Sequence, residues 1–154
     1  MKIKTTIYTH KSDLDKLEYA SKVTKYSKSF ISSFLLHKLK KNNLKFYPRI
    51  SVPTEYQLPG AKNSWHKLHV DFHPADYENF IDMRNFFRRS LSLLLAIAIK
   101  KYLMEMLDRF LLNPEFSWDK FWSDNYTLNL KIDEANRVIW QVFWDFPRED
   151  EIFK

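Results

Sequence analysis

Lys4-Thr5-Thr6-Ile7-Tyr8-Thr9-His10 and Lys67-Leu68-His69-Val70-Asp71-Phe72-His73 lie 63 positions apart and carry one pattern. Thr5, Ile7 and Thr9 match Leu68, Val70 and Phe72 on one face; Lys4, Thr6 and Tyr8 match Lys67, His69 and Asp71 on the other. Alternation with a period of two predicts a strand with one buried face. The correspondence continues beyond the strands. Residues 4–40 laid over 67–103 without a gap are identical at Lys4/Lys67, His10/His73, Asp13/Asp76, Ser27/Ser90, Ser29/Ser92 and Lys38/Lys101. Six identities alone are weak evidence. The stronger signal is that each physical role falls at the same place in both stretches.

After each strand comes a helix start. Ser12 is the expected cap in the first copy, and Pro74 sits where a first-turn proline is tolerated in the second. Asp13 and Asp15 match Asp76 and Glu78, acids that favour the positive end of a helix. Leu14, Leu17 and Val23 match Tyr77, Phe80 and Phe86, giving an amphipathic helix of about three turns. A second helix opens at Ser27-Lys28-Ser29 and Ser90-Leu91-Ser92, where the hydroxyls can cap. Ile31, Phe34, Leu35 and Leu39 match Leu94, Ile97, Ala98 and Tyr102. From Leu91 to Leu112 the second copy's helix is apolar nearly all round, as expected of a central buried helix.

The repeats span 3–41 and 66–104, joined by a polar connector, 42–65, with Pro48, Pro53 and Pro59. Leu44 to Val52 reads as an edge strand, since Pro48 disqualifies it from a sheet interior. Residues 1–112 therefore form one unit and 113–154 another. In the second, a Trp-rich helix is expected around Trp118 to Trp122. Tyr126 to Ile132 and Val138 to Phe146 then alternate around Asp133-Glu134-Ala135-Asn136, the signal of an aromatic β-hairpin.

Composition sets bounds on function. Hydrophobic residues make up 45% and aromatic ones 17%, which argues for a folded chain. Cysteine is absent, so disulfides, thiolate metal sites and cysteine nucleophiles are excluded. Gly60 is the only glycine, so glycine-rich phosphate loops and nucleophile elbows are excluded too. The N-terminus has no apolar core of a secretory signal, and the longest apolar run, Leu91 to Ile99, is about half a membrane span. A cytoplasmic protein with no membrane partner is expected. Residues 1–67 hold 14 Lys/Arg against 4 Asp/Glu, and residues 68–154 hold 11 against 15. The basic front half suits a polyanionic partner as well as a solvated surface.

Neither copy can bury its apolar surface alone, and a lone strand leaves its backbone groups unpaired. Antiparallel pairing of the two strands, with four helices behind, resolves both. The order strand, helix, serine turn, helix resembles the ribbon-helix-helix superfamily of the MetJ and Arc repressors, with Ser27-Lys28-Ser29-Phe30-Ile31 similar to that family's turn into its second helix. The layout is also similar to a spirochaete protein family to which no activity attaches. The first resemblance implies an α+β, mostly helical fold in which two strand-helix-helix repeats form an intrachain ribbon-helix-helix pseudo-dimer. It also implies that the ribbon lies in the major groove of double-stranded DNA. By register, Lys4, Thr6, Lys67 and His69 would meet base edges, with Lys2 and Tyr8 at the margin. Ser27, Lys28, Ser29, Arg89, Ser90 and Ser92 would anchor phosphates. The sequence departs from the family in three places. Lys25 and Arg88 stand where a glycine is usual, Asp71 lies on the DNA-facing side, and Leu91 replaces the basic residue at Lys28's position.

His66, His69 and His73 do not form a metal site on this reading, because positions 66 and 69 of a strand point to opposite faces. The carboxylates form no acid/base pair, so no enzyme and no cofactor are expected. Trp118, Trp122, Trp140 and Trp144 suit a core more than base stacking on a single strand. The expected function is a sequence-specific DNA-binding regulator, a small repressor or antitoxin-like protein. The rival is a protein-interaction module of the same fold that does not bind DNA and holds a partner through the C-terminal hairpin. Pairing of two pseudo-dimers into a homodimer is compatible with either.

Overall fold

In the computed structural model the described residues are 1–43, 53–58, 64–112 and 126–144. The alternating run at the start of the chain forms β1 (Ile3–His10), and the second run forms β2 (Trp65–Phe72). They pair antiparallel within the chain, with Ile3 opposite Phe72, Thr6 opposite His69 and His10 opposite Trp65. One face of this two-stranded ribbon carries Ile7, Thr9, Leu68, Val70 and Phe72, all buried. Lys4, Thr6, Tyr8, Lys67, His69 and Asp71 on the other are all exposed.

Four helices follow the strands in pairs: α1 (Lys11–Thr24) and α2 (Lys28–Asn43) after β1, α3 (Pro74–Phe87) and α4 (Leu91–Leu112) after β2. The core lies between the ribbon's apolar face and these helices. Leu17 and Ala20 enter it from α1, Ile31 and Leu35 from α2, Phe80 and Met83 from α3, and Leu94, Leu95 and Ala98 from α4. Phe80 meets Phe72 edge-on, ring centroids 5.1 Å apart, tying α3 to β2.

The helix starts follow the sequence with one exception. Pro74 opens α3 at its first turn, where its missing N–H leaves no bond unmade. Ser27 and Ser90 cap the second helices: Phe30 N–H donates to Ser27 Oγ at 3.1 Å and Leu93 N–H to Ser90 Oγ at 3.2 Å. Ser12, expected to cap α1, is instead inside it. The cap position is His10, whose extended backbone feeds directly from β1 and makes no side-chain cap bond.

Both first helices end in the left-handed region, at Lys25 (φ 63°) and Arg88 (φ 53°), each closed by its N–H bonding back to a carbonyl four residues earlier. A β-carbon there costs about 1–2 kcal/mol, which glycine avoids at some cost in unfolded-state entropy. Lys25→Gly is therefore expected to stabilise the chain by about 0.5–1 kcal/mol, while Lys25→Ala, which keeps the β-carbon, is close to neutral. Urea unfolding of the three proteins checks this.

The second helices invert the expectation of which is more enclosed. α4 buries one face, and Met104, Leu111 and Leu112 are exposed. In α2, six consecutive residues from Ile31 to Leu36 are buried, so this helix is enclosed around its circumference despite its serines.

The chain divides into two compact units, Met1–Phe116 and Ser117–Lys154. In the second, β3 (Tyr126–Ile132) and β4 (Val138–Trp144) form an antiparallel hairpin. Its turn is built on Asp133, whose Oδ1 accepts N–H bonds from Ala135 and Arg137 while Oδ2 accepts one from Arg137 Nε. Asn136 supplies the left-handed residue (φ 60°), a conformation asparagine tolerates. These hydrogen bonds, the Arg137 amide first, hold the Asp133 carboxyl below the usual range. The expected strand at 44–52, the Trp-rich helix at 118–122 and the residues after Trp144 lie outside the described residues. Among the described residues, no helix is long and apolar enough to cross a membrane.

Candidate nucleic-acid interface

Pleating alone puts every second residue of β1 and β2 on the outer face. All six residues expected at base edges are therefore exposed, and five of them, Lys4, Thr6, Tyr8, Lys67 and His69, share the ribbon's outer face; Lys2 lies just before β1. Opposite neighbours are Lys4 and Asp71, Thr6 and His69, Tyr8 and Lys67. A hydrogen bond of 3.1 Å joins Thr6 Oγ1 to His69 Nδ1. A depression of about 560 Å³ opens on Lys4, Thr6, His69 and Asp71. One end of the ribbon is closed by His10 stacked on Trp65, centroids 4.1 Å apart. The surface offers cationic and hydroxyl donors, the groups that meet base-edge acceptors. Asp71 is its one carboxylate and sits opposite Lys4.

The residues expected at phosphates are distributed less evenly. Ser27 and Ser90 use an Oγ lone pair in capping, which leaves each O–H proton to donate. Ser29 Oγ accepts the Asp71 N–H at 3.0 Å, so its hydroxyl seals the outer edge of β2. Lys28 Nζ lies 3.6 Å from Glu18, a half-exposed pair of the kind worth little. Arg89 Nε donates to Glu55 Oε2 at 3.0 Å, and Ser92 accepts the Gln57 amide through its carbonyl. The turn before α4 thus holds the connector segment, and the turn before α2 does not have an equivalent among the described residues.

A second polar cluster was not anticipated from the sequence. Where α2 crosses α3, His37 Nε2 donates to Asp76 Oδ1 at 2.9 Å and Ser33 Oγ to Asp76 Oδ2 at 3.4 Å. Lys40 Nζ donates to Asn79 Oδ1 at 2.8 Å, and Lys40 is only 5% exposed. Burial brings the Lys40 ammonium down to about 8, against the opposing pull of Asp82 and Asp76. Burial also raises the Asp82 carboxyl, Lys40 partly offsetting this and Glu78 adding to it. Burial likewise works to raise Asp76, but hydrogen bonding and charge from His37, with smaller help from His73 and Ser33, bring it below the ordinary range. The signal was present in the spacing: Ser33, His37 and Lys40 recur every three to four residues, as do Asp76, Asn79 and Asp82, so each triplet shares a helix face. Among the described residues, no group of three or more His, Asp or Glu is placed to hold a metal ion.

No family model, curated protein or solved structure matches this chain.

Proposed function

We propose that the protein is a single-chain ribbon-helix-helix pseudo-dimer that binds double-stranded DNA through the outer face of the β1–β2 ribbon. One observation carries the reading: the strand register obeys the symmetry implied by the sequence repeat. A shift of 63 positions turns the Lys4–Asp71 pair into the Lys67–Tyr8 pair, and the Thr6–His69 pair is its own image. This register is what an approximate two-fold axis between Thr6 and His69 would produce, where a ribbon made by two identical chains would have its dyad. Other features 63 apart support it: caps at His10 and His73, left-handed residues at Lys25 and Arg88, hydroxyl caps at Ser27 and Ser90. In this fold the ribbon's polar face enters the major groove and the second helices approach the flanking phosphates.

The test is anisotropy titration of labelled duplexes, random and selected, across roughly 50–200 mM salt, where phosphate-dominated binding changes steeply. Lys28→Ala is expected to weaken binding to every sequence and flatten the salt dependence by about 0.9 in log–log slope, the loss of one phosphate contact. If no duplex binds at the lowest salt, the DNA reading fails. The protein-interaction reading then takes its place, favoured by Asp71 on the ribbon face and by the engagement of Arg89 with Glu55.

A further inference from the structure

Among the described residues, the two ends of the pseudo-dimer differ in what lies alongside the turn before the second helix. At the α2 end that turn is Tyr26-Ser27, with Tyr26 stacked on Phe30 at 4.7 Å. At the α4 end, residues 53–58 run alongside it. Glu55 N–H donates to Arg88 C=O at 2.7 Å, and Ser90 N–H donates to Glu55 C=O at 2.8 Å. These two backbone bonds hold the Glu55 side chain against Arg89, 3.0 Å from Nε. Gln57 fastens the segment further along by donating to Ser92 C=O at 2.6 Å.

From this geometry we infer that Glu55 is an internal stand-in for a DNA phosphate, so that the connector blocks the second anchor of the ribbon. The inference rests on the DNA-binding reading above. A carboxylate and a phosphate oxygen present the same acceptor to a guanidinium, and Glu55 holds the Nε edge of Arg89. Glu55 is held in place by its own backbone on both sides, so its effective concentration at Arg89 is high and a phosphate must compete with a tethered group. Glu18 on Lys28 is a different case. That pair is longer, at 3.6 Å and half-exposed, and the ammonium sits on a flexible stem able to swing to a phosphate. The chain therefore grips duplex through Lys28 and the ribbon, and reads an asymmetric rather than a palindromic site. Lifting segment 53–58 would add the second grip.

Glu55→Gln keeps the backbone bonds and removes the charge. On duplex DNA it is expected to bind several-fold more tightly at about 100 mM salt, with the log–log salt slope steeper by about 0.9. Arg89→Ala added to this variant should return both affinity and slope toward the parent. Glu78→Gln, the same change of charge on the exposed face of α3, controls for net charge and should leave the slope unaltered. Thermal unfolding of each variant establishes that it is folded. A slope unchanged by Glu55→Gln, while Lys28→Ala still flattens it, overturns the stand-in and leaves the DNA reading intact. An equal gain from Glu78→Gln overturns it as well. Failure of the parent and every variant to bind duplex at low salt overturns both.

Discussion

Changing Lys4 and Lys67 together to Ala is expected to weaken binding to a selected duplex by about 2–6 kcal/mol, about twice the 1–3 kcal/mol typical of one base-edge contact. The two lysines occupy equivalent places on either side of the Thr6–His69 pair: Lys4 lies opposite Asp71, and Lys67 opposite Tyr8. Four strand residues at about 3.3 Å each put them about 13 Å apart along the ribbon, roughly four base-pair steps. At that separation and with no shared partner, their effects should add. Lys4 should cost less than Lys67 when changed singly, because Asp71 beside it already cancels part of its field, and the double change should equal the sum. Each variant is to be titrated on the selected site and on random duplex. The loss should be larger on the selected site. An equal loss on both would mean that the lysines act through phosphates alone and that the ribbon does not read sequence.

The ribbon was legible because a period of two is hard to mistake and because it occurs twice. Ile7 and Leu68 fix which face is buried, and the polar residues between them are then outward by geometry alone. The hairpin turn was legible for a similar reason, since Asp133 and Asn136 bring their own local hydrogen-bonding chemistry. What the sequence hid depends on contacts distant in the chain. Ser12 has the right chemistry for a cap, but β1 runs straight into α1 and the helix begins two residues earlier than that cap requires. Arg89 looks like an open anchor until the connector places Glu55 on it. The burial of α2 was hidden because Ser32, Ser33 and Lys40 carry no apolar signal; all three are buried, Ser33 and Lys40 bonded to Asp76 and Asn79 of α3. Apolar count alone likewise overstated the enclosure of α4, whose last turn exposes Leu111 and Leu112.

The seam between α2 and α3 predicts an unusual pH dependence of stability. In the folded protein Lys40 loses its proton near pH 8, whereas an unfolded lysine keeps it to about 10.5. Between those values the unfolded state binds more protons, so stability must rise as pH increases through this window. Below about 8 both states are protonated, and the folded protein bears the full cost of the buried ammonium. Two and a half pH units at about 1.4 kcal/mol each bound the gain from above, and the partners at Asn79, Asp76 and Asp82 make about 2–3 kcal/mol the expected size. The measurement has to be a comparison, so that every other effect of pH on the chain cancels. Urea unfolding of the parent and Lys40→Met at pH 7.5 and pH 10 isolates the residue. Whatever methionine gains or loses in packing and in the bond to Asn79 cancels between the two pH values. The parent should gain about 2–3 kcal/mol more than the variant on going to the higher pH. Parallel changes in both proteins would mean that Lys40 finds water in the folded state and that the α2–α3 seam is open rather than sealed. An opposite sign would mean that Asp82 and Asp76 bind the ammonium more strongly than burial opposes it. In that case Lys40→Met should also destabilise the chain at neutral pH, because two carboxylates would lose their cation.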